Sequence, residues 1–386
     1  MASPLYEQPI SDEALRPTHL TIDRDALRDN YAAIARHVGG AEVMPILKAN
    51  AYGHGLIEVA RVCEELGAPA VGVAYLEEGI HLRRAGLRLP ILILGGIAAA
   101  QIPLFLRHDL ELTASSVDKL NAIDGCASEL GMRARVHLKI DTGMERIGVH
   151  HYSADKLLEA SLNAPHTDVV GIFTHFANAE ETAPTELQLE RFLEVLRFYE
   201  RRSLKTPVRH AASSGAIACC AASHLDRVRP GVVFYGVSPT LDPTMATALG
   251  VRPALSWTSE VVFFKVVRAH DPVSYGSTWS SDVDTRVITL PVGYGDGYPR
   301  ALSSRAEVLV RGERYPVVGR VCMDQLMVSI GRGTAYNGDE VTLIGRDGAQ
   351  EVRVEAVANW AGTIPHEILA CINTRVPRVY VDGGRA

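Results

Sequence analysis

The segment MPILKANAYGHG, residues 44–55, decides how the chain folds. A short apolar run, 43–47, ends at Lys48, and a glycine-containing loop follows. Such a run reads as a buried strand. In a closed parallel barrel, the residues just past a strand's C-terminal end form the rim on which active sites are built. A lysine there can form a Schiff base with a carbonyl compound if its surroundings lower its pKa. A lone lysine at a strand end is more often a surface charge, so the reading depends on what accompanies it.

Working outward, residues 18–253 alternate short apolar runs with amphipathic stretches. The strand candidates are 43–47, 70–74, 91–94, 110–113, 135–140, 169–174, 208–211 and 228–235. Helix-like segments lie between them at 55–66, 116–130, 185–202 and 214–222. A helix comes first, with Asp23 as its N-cap and Leu27, Tyr31, Ile34 and Val38 at helical spacing. About eight strands alternating with helices fit a parallel barrel. A doubly wound open sheet gives the same local pattern, and periodicity does not separate the two. Beyond residue 255 the texture becomes β-prone and turn-rich, with strand candidates 259–268, 286–291, 306–310, 322–330 and 340–344 and one late helix at 354–360. The expected organisation is an extension (1–17), an α/β domain (18–254) and a β-rich domain (255–386).

Composition narrows the function. At 386 residues and 47% hydrophobic content the chain is an ordinary globular protein. A net charge of −6 offers nucleic acid or an anionic membrane no general attraction, so an anionic ligand needs a local site. Cys63, Cys126, Cys219, Cys220, Cys322 and Cys371 show neither a CxxC pair nor zinc-ligand spacing, so no metal is expected and free thiols fit a reducing compartment. The opening residues, MASPLYEQPISDEALRP, lack the apolar stretch of a signal peptide, and no run is long and uncharged enough to span a membrane. The expected location is the cytoplasm.

Two further segments place chemistry at strand ends. HLKIDTGMERIG (137–148) carries Lys139, Asp141 and Arg146, and an arginine facing the mouth of a barrel can bind a carboxylate bidentately. VRPGVVFYG (228–236) carries Arg229 and Gly231, while HAASSGAI (210–217) sets Ser214 at a helix start. Loops after the seventh and eighth barrel strands commonly bind phosphate through backbone N–H groups. Each segment alone also reads as a solvated turn or a plain cap.

Together these segments resemble the alanine racemase family, pyridoxal-phosphate enzymes of fold type III, over nearly the whole chain. KANAYGHG is similar to the family's cofactor-attachment motif. LKIDTGMERIG, FTHFA, RPG, SYG, GYGDGYPR, GRVCMDQ and TIP follow in the family's order. The resemblance implies a (β/α)₈, TIM-like barrel followed by a mainly β domain, and a homodimer with shared active sites acting on a small amino acid. It implies that Lys48 carries pyridoxal phosphate as a Schiff base, with Tyr52, Ser214, Gly231, Val232 and His366 around the phosphate. His175 would lie beside the pyridine ring and Arg229 would face its nitrogen. Arg146 and Met323 would meet the substrate carboxylate, with Lys139, as a carbamate, orienting Arg146. Tyr275 would act in the partner's site, supported by Cys322 and Asp324. Glu180, Arg300, Arg320 and Ile364 would line the access corridor.

The chemistry agrees with those roles. Racemisation needs a base on each face of a planar carbon, which Lys48 and Tyr275 would supply. A tyrosine, ordinarily near pKa ~10, can do so only if nearby cations lower its proton affinity. An arginine opposite the ring nitrogen weakens the electron sink, which favours racemisation over transamination. GYGDGYP (293–299) lacks dinucleotide-loop spacing, and Pro299 interrupts any immediate helix. Two positions depart from the family pattern: His366 stands where TIPYE has tyrosine, and Ser213 where asparagine is frequent. His366 leaves open a racemase of broader or serine specificity. A related barrel decarboxylase and a non-catalytic cofactor-binding barrel are the other readings. The tyrosine of SYG speaks against the first and the long β domain against the second.

Overall fold

The structure, a computed structural model, describes residues 16–383. It separates into two compact units, one of Leu27–Phe234 with Met245–Val251, the other of the described residues up to Ala26, Tyr235–Thr244, and those from Arg252 onward. The first element among the described residues is β1 (Thr18–Asp23), which belongs to the second unit. The first unit then carries β2 (Glu42–Val43), β3 (Val71–Val73), β4 (Ile91–Ile93), β5 (Leu112–Ala114), β6 (Ala134–Asp141), the short β7 (Val149–His150), β8 (Thr167–Phe173), β9 (Val208–His210) and β10 (Arg227–Val228).

The pairings close a ring. Parallel ladders join β3 to β4, β5 to β6, β6 to β8 and β8 to β9. Parallel bridges Ile46–Gly72 and Leu92–Glu111 fill the gaps beside β3 and β5. The Asp226 and Arg229 N–H groups donate to the Arg209 and Ala212 carbonyls, and β10 pairs in parallel with β2. The closure settles the barrel against the open sheet. Barrel strands are short and apolar because both faces are covered: Val71–Val73, Ile91–Ile93 and Leu112–Ala114 are buried throughout. The helices bury one stripe each. In Arg24–Val38 the Asp23 Oδ1 accepts the Ala26 N–H at 3.0 Å, capping the helix. Leu27, Ile34 and Val38 of that helix are buried in the first unit, each contributing about 1.5–3 kcal/mol by leaving water.

The second unit holds β1, β11 (Leu255–Glu260), β12 (Phe263–Val267), β13 (Thr285–Leu290), β14 (Glu307–Val310), β15 (Glu313–Val318), β16 (Leu326–Gly331), β17 (Glu340–Asp347), β18 (Gln350–Val352) and β19 (Arg378–Val381). The sheet order is β12-β13-β16-β15-β14-β17-β11-β1-β19, with β18 on β17. Among the described residues of this unit only β1–β19 is a parallel pair. Fully buried Trp257 and Tyr298 meet edge to face at 5.9 Å. Edge strand β12 leaves Phe263, Phe264 and Val266 exposed.

Three expectations change. The strand expected at 228–235 ends at Val228, and Val232–Tyr235 coils into a 3₁₀ turn, because Pro230 lacks the N–H a ladder needs. The strand expected at 259–268 divides into β11 and β12, which pair with different partners. Thr18–Asp23, expected to open the α/β domain, is instead a strand between β11 and β19. Among the described residues, no helix is long and apolar enough to cross a membrane.

Candidate active site

Lys48 follows a strand whose Ile46 bridges to Gly72 and whose Leu47 N–H donates to the Gly72 carbonyl at 2.7 Å. The next four residues turn left-handed: Ala49, Asn50, Ala51 and Tyr52 have φ of 54°, 56°, 54° and 50°. That conformation costs L-residues about 1–2 kcal/mol each. The turn makes its own bonds, Ala51 N–H to Leu47 O at 2.8 Å and Gly53 N–H to Ala49 O at 3.1 Å. Asn50 Oδ1 accepts the Leu56 N–H at 2.9 Å and anchors the next helix. Partial burial and the Arg146 guanidinium push the Lys48 amine below its ordinary value, while the Glu78 carboxylate opposes them.

Tyr52, at the end of that turn, is buried, and burial pushes its phenol up. Ser214 Oγ accepts the Gly231 N–H at 2.9 Å and the Val233 N–H at 3.4 Å. A Cβ on Gly231 would lie 2.7 Å from Tyr52 Oη and 3.5 Å from Ser214 Oγ. Only glycine leaves this concave space open, which joins the ends of three barrel strands. Val232 is buried at the same turn. Exposed Glu180 lies beside the helix that Ser214 opens, its Oε1 2.6 Å from where a Gly215 Cβ would stand.

Past β6, Asp141 builds the turn that presents Arg146. Its carboxylate accepts the N–H groups of Gly143, Met144 and Arg146 at 2.8, 3.0 and 3.2 Å. Burial pushes that carboxyl up, but the Gly143, Glu145 and Arg146 N–H groups and Lys139 hold it below the ordinary carboxylate range. The turn also puts Glu145 at φ 54° and leaves Arg146 exposed. Lys139 is buried, and its Nζ donates to the Ile140 carbonyl at 3.1 Å. Burial, then Arg229 and Arg146, bring its amine down to about 7, against the pull of Asp141. His175, past β8, is pushed well below the ordinary imidazole range by burial and by Arg229, Lys139, Arg146 and Lys48, so it is neutral at physiological pH.

A buried chain that sequence reading missed fixes Arg229. Its Nη2 donates to the Thr174 and Ala211 carbonyls at 2.7 and 2.8 Å, and its Nη1 meets His210 Nδ1 at 3.0 Å. His210 Nε2 then meets His137 Nδ1 at 2.8 Å, and His137 Nε2 meets Glu111 at 3.0 Å. Because guanidinium only donates, each contact has one direction. Both histidines carry their proton on Nε2, and Glu111 accepts at the end. Burial keeps both imidazoles neutral. Burial also lowers Arg229 to about 9, leaving it charged at neutral pH.

The second unit gathers the other expected residues. Tyr275 is 72% exposed in a turn where Ser274 and Gly276 have φ of 70° and 74°. Ser274 Oγ donates to the Arg320 carbonyl at 2.8 Å and lies 3.7 Å from Cys322 Sγ, so Arg320 and Cys322 support this turn. The GYGDGYP loop is structural. Fully buried Asp296 accepts the Gly293 N–H at 2.9 Å and binds Arg16 and Arg375. Gly295 N–H donates to the exposed Met323's carbonyl at 2.8 Å, and Arg375 reaches Asp324 at 2.8 Å. Arg300 and Ile364 are exposed, and His366 is half-buried on helix Pro365–Ala370. Among the described residues no group of three or more His, Cys, Asp or Glu could hold a metal ion.

Comparison with known proteins follows this division. Residues 22–239 match the alanine racemase N-terminal domain and 254–380 its C-terminal domain. The alanine racemase of Symbiobacterium thermophilum is 40% identical over 371 residues, 95% of this chain and 98% of that protein. That of Desulforamulus reducens is 42% identical over 373 residues, 95% of this chain and 99% of that protein. The crystal structure of alanine racemase from D-cycloserine-producing Streptomyces lavendulae superposes with a TM-score of 0.92 at 34% identity, covering 96% of this chain and 98% of that one.

Proposed function

Because the chain belongs to the alanine racemase family, we propose that it interconverts L-alanine and D-alanine with pyridoxal phosphate bound at Lys48. The observation that carries this reading is the barrel rim itself. A lysine of lowered proton affinity stands one turn from a concave space that Tyr52, Ser214 and Gly231 frame and that a single Cβ would fill. That space suits a phosphate, with the Tyr52 and Ser214 hydroxyls and the Val232 N–H as donors and Gly231, whose own N–H donates to Ser214 Oγ, leaving it room. His366 joins this set by family likeness. When bound, the cofactor supplies an electron sink for negative charge at the amino acid's α-carbon.

The residues divide the remaining work. Arg229, donor only, faces the ring nitrogen without offering it a proton acceptor, and neutral His175 lies beside the ring. Arg146, held on the Asp141 turn, binds the substrate carboxylate, with Met323 nearby. Lys139 has enough neutral amine near pH 7 to form a carbamate with carbon dioxide, which would give Arg146 an anion to lean on. Lys48 moves the proton on the face that D-alanine presents, and Tyr275 of a second copy moves it on the L-alanine face. The exposed phenol and exposed edge strand β12 support a homodimer with shared sites. Cys322 and Asp324 steady the Tyr275 region, and Glu180, Arg300, Arg320 and Ile364 line substrate access. We place the enzyme in the cytoplasm, where its unpaired cysteines would stay reduced and D-alanine would feed cell-wall peptidoglycan.

Borohydride reduction of the loaded enzyme, followed by peptide mapping, is expected to find the pyridoxyl group on Lys48, together with alanine racemisation. Label on another lysine overturns the site. A labelled but inactive protein points to a binding module.

His366 bears on specificity. Histidine is shorter than the tyrosine common at this position, so it leaves more room beside a substrate side chain. His366→Tyr is expected to raise the alanine-over-serine ratio of kcat/KM by about tenfold, within the 1–3 kcal/mol that small pocket changes supply. An unmoved ratio removes the broader-specificity reading.

A further inference from the structure

The left-handed turn after Lys48 is tied to the neighbouring strand by one side chain. Glu78 Oε1 accepts the Ala49 N–H at 2.6 Å. Its Oε2 accepts the Ala74 N–H at 2.8 Å and the Tyr75 N–H at 3.4 Å. Glu78 is the third residue of helix Leu76–Arg84, and its bond to Tyr75 is half of a capping box. Such a glutamate ordinarily serves only its own helix. Here the second oxygen crosses 29 residues of sequence to the N–H immediately after Lys48.

Ala49 N–H is the first donor of the left-handed turn, ahead of the turn's own bonds, and the carboxylate takes it. The helix N-terminus favours a negative charge at this position. Glu78 also acts electrostatically on Lys48 in the opposite sense to Arg146. We propose that Glu78 is a positioning residue for Lys48, clamping the Ala49 N–H so that the strained turn holds and the lysine leaves it in one direction. The proposal rests on the reading of Lys48 as the cofactor-binding amine.

The test uses the full-length chain, freed of cofactor, with pyridoxal phosphate as probe. Labelling of Lys48 is trapped with borohydride, mapped and timed across pH 6–10. Glu78→Gln keeps the shape but presents an amide donor either to the Ala49 N–H or to the Ala74 and Tyr75 N–H groups, and removes the charge. The expected result is labelling about tenfold slower, the size of one lost charge-assisted hydrogen bond. Its pH midpoint moves lower, because the anion that favoured the protonated amine is gone. A purely structural role would reduce the melting temperature and leave that midpoint in place, which counts against the proposal. Glu78→Asp keeps the charge on a shorter arm and decides the matter if Glu78→Gln does not fold: slowed labelling at an unchanged melting temperature supports the clamp, and slowed labelling with a lowered melting temperature counts against it. Native rate and native midpoint in a folded variant overturn the clamp while Lys48 stays labelled. Label on another lysine overturns the reading of Lys48 instead.

Discussion

Tyr275→Phe is expected to abolish racemisation, by about 10²–10⁴-fold for loss of one positioned acid–base group, while leaving half of the chemistry intact. Removing only the hydroxyl spares the turn, because the Ser274 hydroxyl, not the phenol, ties it to the Arg320 carbonyl. Lys48 remains able to take the α-proton of D-alanine and return it. D-alanine should therefore still exchange its α-hydrogen with deuterated solvent, and L-alanine should not. Equal loss of exchange from both enantiomers, in a variant that retains cofactor, contradicts the assignment of one base to each face. The same variant tests where the tyrosine acts. Mixed with inactive Lys48→Ala chains, it forms heterodimers in which one site has both bases, and activity returns. No recovery despite proven subunit exchange means that Tyr275 does not serve the partner.

What was legible in the sequence follows a physical rule. Lys48, Arg146, Ser214 and Gly231 sit directly after barrel strands, so each lies in a contiguous segment whose apolar run and turn residues announce its place. The residues that escaped notice gain their roles from distant partners. Glu78 lies in LEEGIHLRR, which reads as an amphipathic helix with acids in its first turn, and nothing local marks its second oxygen for Ala49. His137 and His210 are 73 residues apart, and an imidazole inside a strand looks like any polar interruption until the barrel closes. β1 went unread for the same reason. THLTID alternates as a strand should, but its partners β11 and β19 lie more than 200 residues away. The 3₁₀ turn at Val232–Tyr235 is the opposite case, since Pro230 was a visible signal that the apolar run could not continue as ladder.

The buried chain behind Arg229 makes a second large effect predictable, at a residue without a side chain. Gly171 lies on β8 opposite His137, where the β6–β8 register shifts. A Cβ there would stand 2.1 Å from His137 Nδ1 and 2.5 Å from its Cε1, far inside any tolerable contact. The imidazole cannot step aside cheaply. It is bonded at 2.8 Å to His210 and at 3.0 Å to Glu111, and it is almost wholly buried. Moving it leaves the His210 Nε2 proton without an acceptor and Glu111 without its imidazole donor. It also frees His210 to turn away from Arg229, although Thr174 and Ala211 still hold the guanidinium's other end. Overpacking and a broken buried polar network together should cost Gly171→Ala about 3 kcal/mol or more. Denaturant unfolding measures this. Gly125→Ala is the control, for that helical glycine has nothing within 4 Å of its Cβ position. There the gain in helix propensity should stabilise the chain by about 0.5–1 kcal/mol, opposite in sign. If both substitutions prove neutral, His137 is free to move and the chain does not fix Arg229. If only Gly171→Ala destabilises, the imidazole nitrogen shifts of histidine in the native protein complete the case: both buried rings should keep their proton on Nε2 and stay neutral through the physiological range.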